Sequence, residues 1–291
     1  MAGTTTTTGS PIGTTTTTCF NHTSTPEPST TTSLPLACVS TREEYQNHFD
    51  TNKDATICPD TTVCLDRPIV IPTSSNVSTS CGGGICTISG ACGSAPIGSR
   101  LFQTEQLMPD QDNGHSIEFL NVAFQDGRAM DGGAFFLSGG TARFYGPNCR
   151  FQGNRASADP ESQANSGNGG AIYVRGSGTV WFKQCQFVEN HADGKGGAVY
   201  VGTGTWGTEP ATAHINDSIF NCNTAGLAEG EDIAVGGNYA NTARAVCNQG
   251  TVFCNLSDQT LASVHGGQIV ACGNYFNPKA TCAALTDSHA A

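Results

Sequence analysis

The sequence predicts an all-β chain wound as a right-handed parallel β-helix, a solenoid of three strands per coil with a short N-terminal capping helix. Two repeated motifs and one compositional bias carry that expectation. Four segments align on a phenylalanine, at 117–124, 144–151, 180–187 and 213–220, and three residues after it stand Gly127, Asn154, Asn190 and Asn223. A Gly-Gly-Ala motif opens a strand-sized run at Gly132, Gly169 and Gly196. Charge is scarce, at 13% of residues against about 25% in an ordinary domain, while glycine is abundant at 36 residues. The usual helix formers are correspondingly few.

The elements follow in chain order. Residues 1–37 read as a disordered tail, with 15 threonines among the first 33 residues and too little apolar surface to offset the entropy of ordering. Such composition suits either an O-glycosylated stalk or a plain linker. Residues 38–66 read as an N-terminal cap. Ser40 or Thr41 can start its helix, with Glu43 or Glu44 closing a capping box, and Tyr45 and Phe49 share one face. The cap is needed because an exposed parallel edge invites aggregation. The β-helix is expected over 67–275, and 276–291 form a C-terminal tail.

Alternation assigns the faces within each coil. Aligned without gaps on the key phenylalanine, the columns Ile117/Phe144/Val180/Ala213 and Phe119/Gly146/Phe182/Ile215 point inward. So do Val122/Cys149/Cys185/Ser218, after a break in parity at Asn121, Asn148, Gln184 and Asp217 that marks a bend. Equivalent strands pair one coil apart, at roughly 4.8 Å along the axis, and parallel crossovers are right-handed. The asparagine column is expected to stack its amides into a ladder at a turn whose left-handed backbone asparagine tolerates. The Gly-Gly pair supplies the next corner, although the fourth coil reads Asp232-Ile-Ala there. Outside, Phe136, Tyr173 and Tyr200 fall in one column. They form an aromatic strip able to hold sugar rings or a partner protein, or simply to stabilise neighbouring strands.

The pairing of F-x-x-N with G-G-A-[ILV] resembles the repeats of the polymorphic outer-membrane protein family, adhesive β-helix proteins. Its clearest carriers are Phe151–Asn154, Phe187–Asn190, Gly169–Ala171 and Gly196–Ala198. In its cysteine content the pattern is similar to extracellular pectin-lyase-like proteins of microalgae such as diatoms. The resemblance implies an extracellular or cell-surface module, structural or adhesive, that engages a glycan or a matrix or surface protein without catalysis. The same fold also hosts lyases and glycoside hydrolases, so a polysaccharide-active enzyme is the alternative. No barrel-forming segment follows the repeats, and a bacterial autotransporter is not expected.

Fourteen cysteines without a C-x-x-C pair point to disulfides in an oxidising compartment rather than to metal. Cys149 and Cys185 share an inward column in adjacent coils, within disulfide reach, or else remain buried thiols. Cys81, Cys86, Cys247 and Cys254 are candidate staples of the less regular ends. Sequons at Asn21, Asn76, Asn216 and Asn255 fit a secretory route, although the start of the chain carries no visible signal peptide.

A net charge of −11 without a basic cluster disfavours nucleic acid, and no apolar run is long enough to span a bilayer. Catalysis finds little support. A lyase would need clustered carboxylates beside an Arg or Lys base, and a hydrolase two carboxylates about 5–9 Å apart. Asp126 and Glu189, two residues after the key phenylalanine, would stand roughly 10 Å apart, and with Asp131 and Asp193 they read as solvated turn acids. The seven histidines are scattered, and no G-x-S-x-G elbow occurs. No catalytic residue, metal ligand or cofactor is therefore assigned.

Overall fold

The computed structural model describes residues 38–92, 99–104, 114–159, 166–202, 210–227, 230–236, 243–248, 250–254, 261–264 and 268–270. Both predicted tails lie outside these residues, as do Asn21 and Asn255. The strands fall into four sheets of eight, seven, seven and four members, and every pair within them is parallel. The chain is a parallel β-helix.

The coil carrying Phe187 shows how the sequence builds it. Strand Thr179–Lys183 lies on the first face, with Val180 and Phe182 inside and Trp181 and Lys183 outside. Gln184 then turns the chain in the left-handed region, at φ 59°, as Asn121 and Asp217 do in their coils. Strand Gln186–Val188 on the second face carries Phe187 inward. Glu189 makes the next left-handed corner at φ 56° and Asn190 enters the ladder. A two-residue strand, His191–Ala192, precedes Gly196-Gly197, and Val199–Val201 runs along the third face. The three expected strands per coil are thus joined, in four coils, by a short fourth over the Asn-x-Ala stretch. At the glycine corner a Cβ on Gly170 would collide with the carbonyl oxygen of Gly197 in the next coil.

Two sequence alignments need correction. Phe144 pairs with Phe119 and Phe182, and Ala142 with Ile117 and Val180, so Phe144 does not share a column with Ile117. The second coil has two extra residues at its first corner, where Gly146-Pro147-Asn148 stand in place of a single Asn121, Gln184 or Asp217. Gly146, with φ 106°, belongs to that corner rather than to an inward column. A shift of two keeps every side chain on its face, so the inside–outside assignment survived the slip. In the fourth coil Ile233 pairs with Val199. Gly230-Glu231-Asp232 therefore fill the Gly-Gly-Ala positions, and Asp232 takes the buried place of Ala198.

The core is organised as stacks of phenylalanine. On the second face Phe124, Phe151, Phe187, Phe220 and Phe253 stack at 4.5–5.1 Å between ring centroids. On the first face Phe119, Phe144 and Phe182 stack at 5.0 and 5.6 Å. The two stacks meet edge to face, for example Phe182 on Phe187 at 5.0 Å and 88°. Two phenylalanines per coil, one on each face and each in register, thus satisfy both ring geometries that aromatic pairs prefer.

The asparagine ladder is buried beside them. Asn154 Nδ2 donates to Asn190 Oδ1 at 3.0 Å and to the Phe124 carbonyl at 3.1 Å. Asn190 repeats this with Asn223 at 2.9 Å and Phe151 at 3.0 Å. Each Oδ1 also accepts a backbone N–H from the preceding coil. Asn223 ends the series by donating to the carboxyl of Asp232 at 2.8 Å.

The first coil is closed by helix Arg42–Asp50, whose Thr41 and Glu44 form the capping box. Tyr45 and Phe49 insert against Phe102, and the Tyr45 hydroxyl donates to Thr79 Oγ1 at 2.8 Å. Gln46 pairs both ways with Val70 on the edge strand Ile69–Ile71: its Nε2 donates to the carbonyl and its Oε1 accepts the N–H. Asn52 and Asp54 accept the backbone N–H groups of Asn76 and Ser78.

Disulfides join Cys38 to Cys58, Cys64 to Cys92, Cys81 to Cys86 and Cys149 to Cys185. Cys149 and Cys185 cross-link adjacent coils from the inward column, with Cα atoms 4.7 Å apart. Cys222, Cys247 and Cys254 are disulfide-bonded as well. Among the described residues, none of the helices is long and apolar enough to cross a membrane.

Candidate functional site

The third face positions the predicted aromatic strip. Phe136, Tyr173 and Tyr200 are direct cross-strand neighbours, with ring centroids 5.4 and 5.1 Å apart. The strip is not bare. The guanidinium groups of Arg100 and Arg175 each stand 4.8 Å from the Phe136 centroid, so that ring is engaged in cation–π contact. Burial pushes the Tyr173 hydroxyl well above its ordinary range. The Tyr200 hydroxyl lies over Gly236, where a Cβ would strike it, and the Tyr173 ring lies against Gly202 in the same way. All three rings are half-buried, and the Tyr173–Tyr200 end of the strip is bedded on glycine.

The acidic candidates separate. Asp126 and Glu189 occupy equivalent left-handed corners two coils apart, with Gly153 at the corner between them, and burial raises the Asp126 carboxyl above its usual range. Asp131 accepts the Asn168 N–H at 2.8 Å and is likewise raised, chiefly by burial. Asp193 is held below the usual carboxylate range by hydrogen bonds against a partial burial cost: it accepts from Arg155 Nη2 at 3.0 Å and lies 2.9 Å from His191 Nε2. All four therefore serve the coil: Asp126 and Glu189 sit at its corners, and Asp131 and Asp193 tie neighbouring coils together. Among the described residues no group of three His, Cys, Asp or Glu side chains is arranged to hold a metal ion.

The first face carries a feature the sequence reading did not single out. Outward residues Arg143, Trp181 and His214 are in register, as are Tyr145, Lys183 and Asn216. The His214 ring stacks on the Trp181 indole at 3.7 Å and 9°, and burial lowers the His214 pKa. Arg143 is drawn toward the preceding coil, its Nη1 donating to Ser116 Oγ at 3.0 Å and lying 3.7 Å from Glu118. Tyr145 donates to the same Glu118 at 3.1 Å. A shallow groove of about 300 Å³ is left, lined by Arg143, Tyr145, Trp181, Lys183 and Asn216 over the Phe144 and Phe182 backbone. The signal was available: Trp181 has outward parity in a predicted strand, and its large apolar surface is left 37% exposed.

Of the described sequons, Asn76 is exposed at the start of its strand, while Asn216 is half-buried and accepts a hydrogen bond from Asn248.

Fold and faces together define a disulfide-stapled parallel β-helix with short coil repeats. Residues 148–175 and 184–202 match the Chlamydia polymorphic membrane protein repeat family. Those two segments contain all four motif carriers, Phe151–Asn154, Gly169–Ala171, Phe187–Asn190 and Gly196–Ala198. The comparisons with curated proteins and with solved structures find no match.

Proposed function

We propose that this chain is an extracellular or cell-surface β-helix module, structural or adhesive in role, which binds neutral glycan on its third face without turning it over. The observation that carries the reading is the outward column Phe136–Tyr173–Tyr200, in register over three successive coils. Aromatic faces stack on the C–H faces of sugar rings, and rings repeated from coil to coil suit an extended chain better than a deep pocket would. The disulfides fit an oxidising compartment. The net charge of −11 disfavours polyanionic ligands.

A glycan array tests this. Neutral-glycan binding that Tyr200→Ala and Tyr173→Ala weaken supports it, with thermal unfolding confirming that both variants fold. Polygalacturonate and alginate incubated with the protein and calcium should release no unsaturated or reducing ends. Release that Asp126→Ala or Glu189→Ala abolishes would transfer the chain to the polysaccharide-active enzymes.

A further inference from the structure

The groove over Trp181 has a chemistry different from the third-face strip. Its exposed lining is mostly apolar, and one side of the indole is already taken by His214. Of the two cations on its rim, Arg143 is matched by Glu118. Lys183 is exposed and forms no ion pair among the described residues. In a chain with 24 acidic and 13 basic residues, an unmatched ammonium beside an exposed indole is a local reversal of the overall field.

Stacking surface, one available cation and the Asn216 amide together fit a pyranose that carries a single carboxylate. Its C–H face rests on Trp181, its carboxylate pairs with the ammonium, and its hydroxyls reach the amide. Size and walls narrow this further. At about 300 Å³ the groove is at the lower limit of ligand pockets. The Arg143–Glu118–Tyr145 brace bounds it on the side of the preceding coil, and with Arg143 matched there, Lys183 leaves a cation for one carboxylate rather than for a row of them. We infer that this groove binds the terminal carboxylate-bearing sugar unit of a glycan. The site is independent of the third-face strip.

The test is calorimetric titration of the full chain with sialyllactose, with lactose as the uncharged control. Sialyllactose should bind at least about tenfold more tightly, a difference of about 1.4 kcal/mol. Lys183→Ala should reduce it to the lactose level, Lys183→Arg should retain most of the preference, and Trp181→Ala should abolish binding of both sugars. Lys183 is exposed, so its variants carry the test even if Trp181→Ala fails to fold. Tyr200→Ala should leave the titration unchanged, which separates this site from the strip. Equal binding of the two sugars, a preference that survives Lys183→Ala, loss of binding in Tyr200→Ala, or no binding of sialyllactose at millimolar concentration would each overturn the inference.

Discussion

At the residue scale, position in a column decides cost. Phe187 is stacked between Phe151 and Phe220 and fully buried, so Phe187→Ala should lose about 3–5 kcal/mol in denaturant unfolding. Tyr200 lies outside, and Tyr200→Ala should lose much less; equal losses would mean that the two faces are misassigned. Asp232 is the unusual residue. It sits where the other coils place alanine, fully buried, and desolvation holds its carboxyl well above the ordinary range. In the unfolded chain that carboxyl titrates near 3.9, so folding takes up a proton once the pH exceeds that value. Its contribution is complete below about pH 4 and is lost as pH rises toward the folded value. Asp232→Asn keeps an oxygen to accept from Asn223 and removes the charge. It should melt above the parent at pH 7, with the gap closing toward pH 4; a constant gap across that range would contradict the assignment.

At the scale of elements, the ladder and the corners explain what could be read in advance. The inside and outside of each strand were legible because strands alternate with period two and a phenylalanine marks each coil, although the first-face columns of the second coil were set two residues out of register. The length of the corner at Gly146-Pro147 was not legible, since a two-residue insertion leaves the alternation intact and so leaves no trace in the pattern. Nor was the short fourth strand: two extended residues after an asparagine look like any turn until neighbouring coils pair with them. The ladder itself is open to a direct measurement. Asn190→Ala would strand the Asn154 N–H and the Phe151 carbonyl in the interior, at about 1–3 kcal/mol for each unsatisfied group. A loss of at least about 2 kcal/mol is expected by chemical denaturation, and a neutral result would mean that the amides do not bind in register.

For the molecule as a whole, the strip on the third face was visible as a column of aromatics, while on the first face parity marked only Trp181 as an exposed indole. Trp181 and His214 already fall in register in the sequence but share no residue type, and only strand pairing brings Arg143 beside them. The cysteines bear on every coil that they join. None of those among the described residues is free, so thiol titration of the denatured, unreduced protein should find few reactive groups. Ten or more would remove the case for an oxidising compartment. The side chains of Gln46, Asn52 and Asp54 have a broader effect. Gln46 takes both backbone groups of Val70 on an edge strand, and Asn52 and Asp54 take the N–H groups of Asn76 and Ser78 that strand Ala55–Ile57 leaves uncovered, so a second chain would find these positions occupied. This edge therefore rejects templated growth. A second chain could add beside Val70 only after the helix had let go of that edge.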